Sequence, residues 1–276
     1  MPYRRWRLIR SGALGGAENM ALDEALLEAV ASGRSRPVLR LYRWDPPTVT
    51  LGYGQRGRHA VNLAACRDLG LDVVRRSTGG RAVLHDREAT YAVISPERSD
   101  LFPGGILGNY RRIADVLRQT LASLGLEASM APGRSRGSGA GEVPAVCFTA
   151  PSAYELVFRG CKVTGSAQKR QGNAFLQHGS IPVEIDVDRL CRALSASAGV
   201  PESGIRHLLE SVGWLNRWLE QPVEIGTVED RLIESFCSSW DIALEEDCPT
   251  PEERARAAVL CREKYENPRW NLQGIA

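Results

Sequence analysis

Apolar residues recur at helical spacing in "ENMALDEALLEAVASG", where Met20, Leu22, Leu26, Leu27 and Val30 predict a helix that begins near Asn19 and stops at Gly33. Short runs with strand character follow: "VLRLYRW", "TVTLGYG", "LDVVRR", "RAVLH" and "ATYAVIS". A second helix carries Ile113, Val116, Leu117, Leu121 and Leu124 on one face, with Asn109 read as its cap. Strand patterns return in "SAYELVF", "CKVTGSA" and "AFLQHGSIPVEI". Three helices are expected to close the chain, one from about Asp186, one after Thr227 and one opened by "TPEE". The last has Thr250 as cap, Pro251 in the first turn and Glu253 three residues after the cap, a capping-box pattern. Strands and helices mix without regular βαβ alternation, which predicts an α+β fold with a mixed, largely antiparallel sheet and flanking helices. We expect one domain over residues 1–276, with a short helical extension from about residue 226.

Composition narrows the possibilities rather than choosing among them. The chain is 43% hydrophobic and 25% charged, which suits a globular protein with a sizeable core. A net charge of +2, with no basic run interleaved with aromatics, gives no case for nucleic acid. The basic start "MPYRRWRLIRSG" precedes no apolar segment, and no stretch nears the ~20 apolar residues of a membrane span, so a cytoplasmic protein is expected. The seven cysteines lie scattered between Cys66 and Cys261 without a C-x-x-C pair, so neither a disulfide framework nor a zinc site is indicated. One low-complexity segment, "APGRSRGSGAGEVP" from Ala131 to Pro144, predicts a mobile loop that ends just before Cys147.

Two stretches carry chemistry. In "VVRRSTGGRAVLHD" a turn of Ser77, Thr78, Gly79 and Gly80 joins two strands, with Arg75, Arg76 and Arg81 around it and His85 beyond. Glycines let a backbone approach a ligand and present bare N–H groups, and guanidiniums suit phosphate or carboxylate. A plain hairpin turn with solvated arginines explains the same residues, and His85 alone fits a hydrogen-bonded structural histidine as well as an acid or base. The order matches neither a Walker A sequence nor a dinucleotide fingerprint. The second stretch, "VPAVCFTAPSAYELVFRGCKVTGSAQ", brings Cys147 and Cys161 near one another in sequence and sets Lys162 beside the latter.

The blocks "NMALDEAL", "RLYRWDPPTVTLGYGQ", "RRSTGGRAVLHD", "ATYAVI", "CFTAPSAYELVFRGCKVTGSAQKRQGNAFLQHGSI" and "YENPRWN" together resemble the biotin/lipoate protein ligase fold family, from about Arg4 to Asn271. Within it they are most similar to the octanoyltransferases that use octanoyl-acyl carrier protein in lipoate biosynthesis. The ATP-using lipoate ligases typically have T-G-G-G in the glycine turn, whereas Arg81 follows Thr78, Gly79 and Gly80 here, as in the transferases. The resemblance puts the transferases' cysteine on Cys147 and the family lysine on Lys162, and implies a substrate site drawn from Arg75, Arg76, Gly79, Gly80, Arg81, His85, Ser166, Ala167, Gln168, His178 and Gly179. It departs at Cys161, where the family more often has a basic residue. No cofactor and no metal are implied. The implied partners are octanoyl-acyl carrier protein as donor and, as acceptor, a protein such as glycine cleavage H protein or a 2-oxoacid dehydrogenase lipoyl domain.

A thioester is already activated, so a thiol can take its acyl group and hold it without ATP, and a neighbouring cation favours the reactive thiolate. Lys162 is the candidate cation, and the oxyanion would rest on N–H groups either of the Gly79–Gly80 turn or near Ser166 and Ala167. If Arg159 and Gly160 form a two-residue turn, Phe158 pairs with Cys161 and Val157 with Lys162, and alternation sends Cys161 and Lys162 to opposite faces. Cys147, arriving from a separate loop, is then the thiol expected to meet Lys162. Two other readings compete: an ATP-dependent lipoate or octanoate ligase, and a non-catalytic protein that binds an acyl group or a lipoyl domain.

Overall fold

A computed structural model describes residues 4–55, 60–102, 105–131, 155–194, 206 and 209–274. The first half runs β1 (Arg5–Leu14), α1 (Gly16–Ala31), β2 (Val38–Trp44), β3 (Thr48–Leu51), α2 (Leu63–Asp68), β4 (Asp72–Arg75), β5 (Val83–His85), β6 (Glu88–Pro96), α3 (Ile106–Ser123) and β7 (Ser129–Met130). The second half continues with β8 (Leu156–Phe158), β9 (Cys161–Lys162), β10 (Gly165–Gln171), β11 (Ala174–Pro182), α4 (Val187–Leu194), α5 (Ile225–Trp240), β12 (Ala243–Asp247) and α6 (Pro251–Leu260). Wider helical turns at Cys261–Tyr265 and Arg269–Gln273 follow.

Strand β6 is buried along both faces, so apolar layers must cover it on both sides. Its sheet has the order β10-β11-β6-β2-β1-β12. The pairs from β10 to β2 are antiparallel, and β1 runs parallel to both its neighbours. Leu39, Leu41, Tyr91, Val93 and Phe175 face one core with Ile113, Val116 and Leu117 of α3 and Val228, Leu232 and Phe236 of α5. Val38, Ala92, Ile94 and Leu176 face the other, with Met20, Leu26, Leu27 and Val30 of α1. Two three-stranded sheets, β4-β3-β5 and β7-β8-β9, adjoin this three-layered body. The expected α+β class with a largely antiparallel central sheet is what forms. Among the described residues no helix is long and apolar enough to cross a membrane.

Several local expectations shift. The first helix starts at Gly16, with Gly15 as cap and Glu18 bonding back to it, so Asn19 lies inside the helix. Asn109 does not cap α3: the chain enters that helix through Gly105 at φ 87°, and Asn109 is buried within it. "CKVTGSA" divides into β9 and β10, which belong to different sheets. Strands β1 and β12 were not expected, because one is arginine-rich and the other acidic. In β1, Trp6 and Leu8 enter one core and Ile9 the other, and parallel pairing sets Arg5, Arg7 and Arg10 against Glu245, Asp247 and Glu246. The Thr250 capping box forms as expected. Cys147, and the Ala131 to Pro144 loop beyond Ala131, lie outside the described residues.

Candidate active site

Arg76 holds the glycine turn from beneath, and Arg75 holds the strand that leads into it. Arg75 is fully buried, and its guanidinium donates to the carbonyls of Gly52, Tyr53, Trp270 and Asn271. Its backbone binds the same segment, through Asn271 Oδ1 and Trp270 Nε1. The expected C-terminal block "YENPRWN" is thus a clasp on β4. Arg76 Nη2 donates to the carbonyls of Gly79 (2.7 Å) and Arg81 (2.8 Å), Nη1 to Thr50 and Nε to Thr78. The Arg76 guanidinium therefore shapes the turn from inside, whereas Gly79, Gly80 and Arg81 are exposed. Gly80 has φ 96°, and a Cβ there would lie 2.6 Å from Arg76 Nη2. A Cβ on Gly52 would lie 1.9 Å from the Gly80 carbonyl oxygen, so glycine is required on both sides of this approach.

Two histidines reach Arg76 through threonines. His178 Nε2 lies 2.8 Å from Thr78 Oγ1, and its Nδ1 2.9 Å from Asp23 Oδ2. His85 Nε2 lies 2.9 Å from Thr50 Oγ1, its Nδ1 2.6 Å from Glu88 Oε1, and Trp44 stacks on its ring at 4.3 Å. Burial pushes the His178 pKa down, which keeps the ring neutral despite Asp23. Burial alone would raise the Asp23 carboxyl, but Arg40 and His178 hold it below the usual range.

The antiparallel pair β10 and β11 links this turn to the lysine. Ser166 pairs with Gly179 and Ala167 with His178. Alternation divides the candidates: Ser166, Gln168 and Gly179 face the α3 side, Ala167 and His178 the α1 side. Ser166 Oγ meets Tyr91 Oη at 2.7 Å, and Tyr110 Oη donates to the Ser166 carbonyl. Burial pushes the Tyr91 phenol up to about 12. Gln168 Nε2 donates to Gln177 Oε1 across the same pair of strands. A Cβ on Gly179 would lie 2.2 Å from the Gly165 carbonyl and 2.9 Å from Tyr91 Oη, so only glycine lets these strands close here.

The ammonium of Lys162 lies above Gly165 and donates to Glu155 Oε1 at 2.6 Å, with both side chains largely buried. The hairpin has the expected register: Phe158 pairs with Cys161 and Val157 with Lys162, through a turn in which Arg159 (φ 50°) and Gly160 (φ 81°) are both left-handed. Cys161 is buried. Its thiol donates to the Glu210 carbonyl, away from Glu155.

Asp23, Thr50, Glu88, Tyr91 and Glu155 were not singled out by sequence reasoning. Asp23 carried a usable signal. It sits three residues from both Met20 and Leu26, on the apolar face of α1, and a carboxylate there needs a partner. Thr50 and Glu88 carried none, since their partners are fixed by strand placement.

Residues 16–237 match the family model for the lipoyl protein ligase A/B catalytic domain. The chain is 36% identical over 266 residues to an octanoyltransferase LipM of Carboxydothermus hydrogenoformans, covering 96% of this chain and 97% of that one. To the octanoyltransferase LipM of Kyrpidia tusciae it is 40% identical over 271 residues, covering 97% and 98%. A solved putative lipoate protein ligase of T. acidophilum with bound lipoic acid has the same fold, with a TM-score of 0.80 and 26% identity across 98% of this chain and 99% of that one. The chain belongs to the lipoyl protein ligase A/B catalytic domain family.

Proposed function

We propose that the chain is an octanoyltransferase of lipoate biosynthesis. The observation that carries this reading is the 36% and 40% identity, along nearly the whole chain, to proteins named octanoyltransferase. The Cys147 thiolate attacks the thioester carbonyl of octanoyl-acyl carrier protein, and the pantetheine thiolate leaves and takes up a proton. The ε-amine of a lysine on a lipoyl-accepting protein then attacks the Cys147 thioester. An amide forms, the amine loses a proton and the Cys147 thiolate is released. Lys162 supplies the cation that favours the thiolate, and Glu155 holds its ammonium in place. Exposed backbone N–H groups at Gly79 and Gly80 receive the oxyanion, with Ser166 and Ala167 as the alternative donors. The acceptor is a glycine cleavage H protein or a lipoyl domain, the reaction takes place in the cytoplasm, and residues 1–276 act as one catalytic unit.

The likeness to the T. acidophilum ligase favours a second reading, activation of a free acid by ATP. Incubation with octanoyl-acyl carrier protein and an acceptor protein, without ATP or magnesium, separates the two. The expected outcome is a hydroxylamine-labile octanoyl group on Cys147 by peptide mass spectrometry, followed by an octanoylated acceptor. Strict dependence on ATP, with free octanoate or lipoate as the better substrate, would overturn the assignment.

A further inference from the structure

Arg76 can only donate hydrogen bonds, which constrains the protons around it. Its Nε donates to Thr78 Oγ1 and its Nη1 to Thr50 Oγ1, so each hydroxyl accepts from the guanidinium. Each hydroxyl also carries one proton, and the acceptor set beside it is the ring nitrogen on its other side, Nε2 of His178 for Thr78 and Nε2 of His85 for Thr50. With that proton used in this way, both Nε2 atoms offer a lone pair. The protons sit on the two Nδ1 atoms, which face the acceptor-only carboxylates of Asp23 and Glu88. The chains continue outward in the same sense. Arg40 and Tyr42 donate to Asp23, and Trp44 donates to Thr90, which donates to Glu88. In this order no donor meets a donor.

We propose that Asp23–His178–Thr78 and Glu88–His85–Thr50 are two positioning arms that clamp Arg76, and through it aim the glycine turn at the acyl oxygen. The clamp acts through the Arg76 bonds to the carbonyls of Gly79 and Arg81. In a trans peptide the N–H points opposite to the C=O, so drawing these carbonyls inward turns the Gly80 and Ala82 N–H groups away from the guanidinium. Gly80 itself is exposed. The two histidines orient the turn and exchange no proton with substrate, since both nitrogens of each ring are bonded within the clamp. This assignment rests on the acyl-transfer reading for its target, but the proton order stands on geometry alone.

Heteronuclear NMR of the histidine rings in the full chain, assigned with His85→Gln and His178→Gln, reads the proton order directly. Two neutral rings protonated at Nδ1 near neutral pH are expected; a charged ring, or a proton on Nε2 of either, overturns the clamp. Thr78→Val removes the hydroxyl at constant shape. It should lower the rate constant of acylation by saturating octanoyl-acyl carrier protein by about tenfold or more, with KM for the donor little changed. Thr78→Ser should restore the rate, and Thr50→Val should reproduce the loss. A valine variant as fast as the parent, or a serine variant as slow as the valine one, overturns the proposal. A parent chain that takes up no octanoyl group from the donor refutes the transferase reading, and the ring spectra then decide the clamp by themselves.

Discussion

Replacing Asp23 by asparagine changes one oxygen to an amide nitrogen in a buried carboxylate that accepts from three side chains. Asp23 is buried against Arg40, which is itself fully buried, at 2.6 Å. It also accepts from Tyr42 and His178. Asparagine fits the space and can still accept from Arg40 through Oδ1, but its Nδ2 then faces two donors, and Arg40 loses its counter-ion. Breaking a buried ion pair on one side costs about 3–5 kcal/mol. For a chain of this size each kcal/mol moves the melting temperature by about 2–4 °C, so a fall of roughly 6–20 °C is expected. Tyr42→Phe removes only one donor to the carboxylate and should cost about 1.5–3 kcal/mol. Because the folded Asp23 carboxyl is held below its usual range, its contribution is present above the unfolded value and is lost as pH falls through the folded one. The gap between parent and Asp23→Asn should therefore narrow only on acidification below about pH 4. Thermal unfolding by circular dichroism from neutral to acid pH measures both effects. A variant that melts within a degree or two of the parent at neutral pH would refute the assignment of Asp23 as the charged centre of this network.

Further outcomes follow from the same geometry. Lys162→Ala should raise the pH at which Cys147 is alkylated by iodoacetamide and Glu155→Gln should lower it, each unit corresponding to about 1.4 kcal/mol; an unchanged profile in both would separate Lys162 from the thiol. Gly179→Ala forces a Cβ to within 2.2 Å of the Gly165 carbonyl and should destabilise the chain by about 1–3 kcal/mol while slowing transfer; a variant with parental melting and rate would show that β10 and β11 need not close there. Cys161→Ser should leave transfer nearly intact, because the Cys161 thiol is turned to the Glu210 carbonyl; loss of the octanoyl adduct in this variant would place the reactive thiol at the wrong cysteine.

Local patterns decided the elements that depend on neighbours in the chain. Thr250, Pro251 and Glu253 make a cap within four residues, and Arg159 and Gly160 make a two-residue turn that sets the register of Val157 against Lys162. The order of blocks along the chain carried the family for a related reason, since close approaches such as Gly80 on Gly52 admit no other residue. What local patterning could not decide is which distant charges meet. Strand β12 joins the sheet where its acids lie beside the arginines of β1, more than two hundred positions earlier, and neither segment by itself announces that partner. Likewise Arg75 and Arg76 read in sequence as ligands for an anion, and the fold surrounds them with carbonyls and hydroxyls from β3, the glycine turn and the C-terminal clasp. A guanidinium advertises five donors in any sequence, but only the tertiary structure determines whether backbone acceptors have already saturated them.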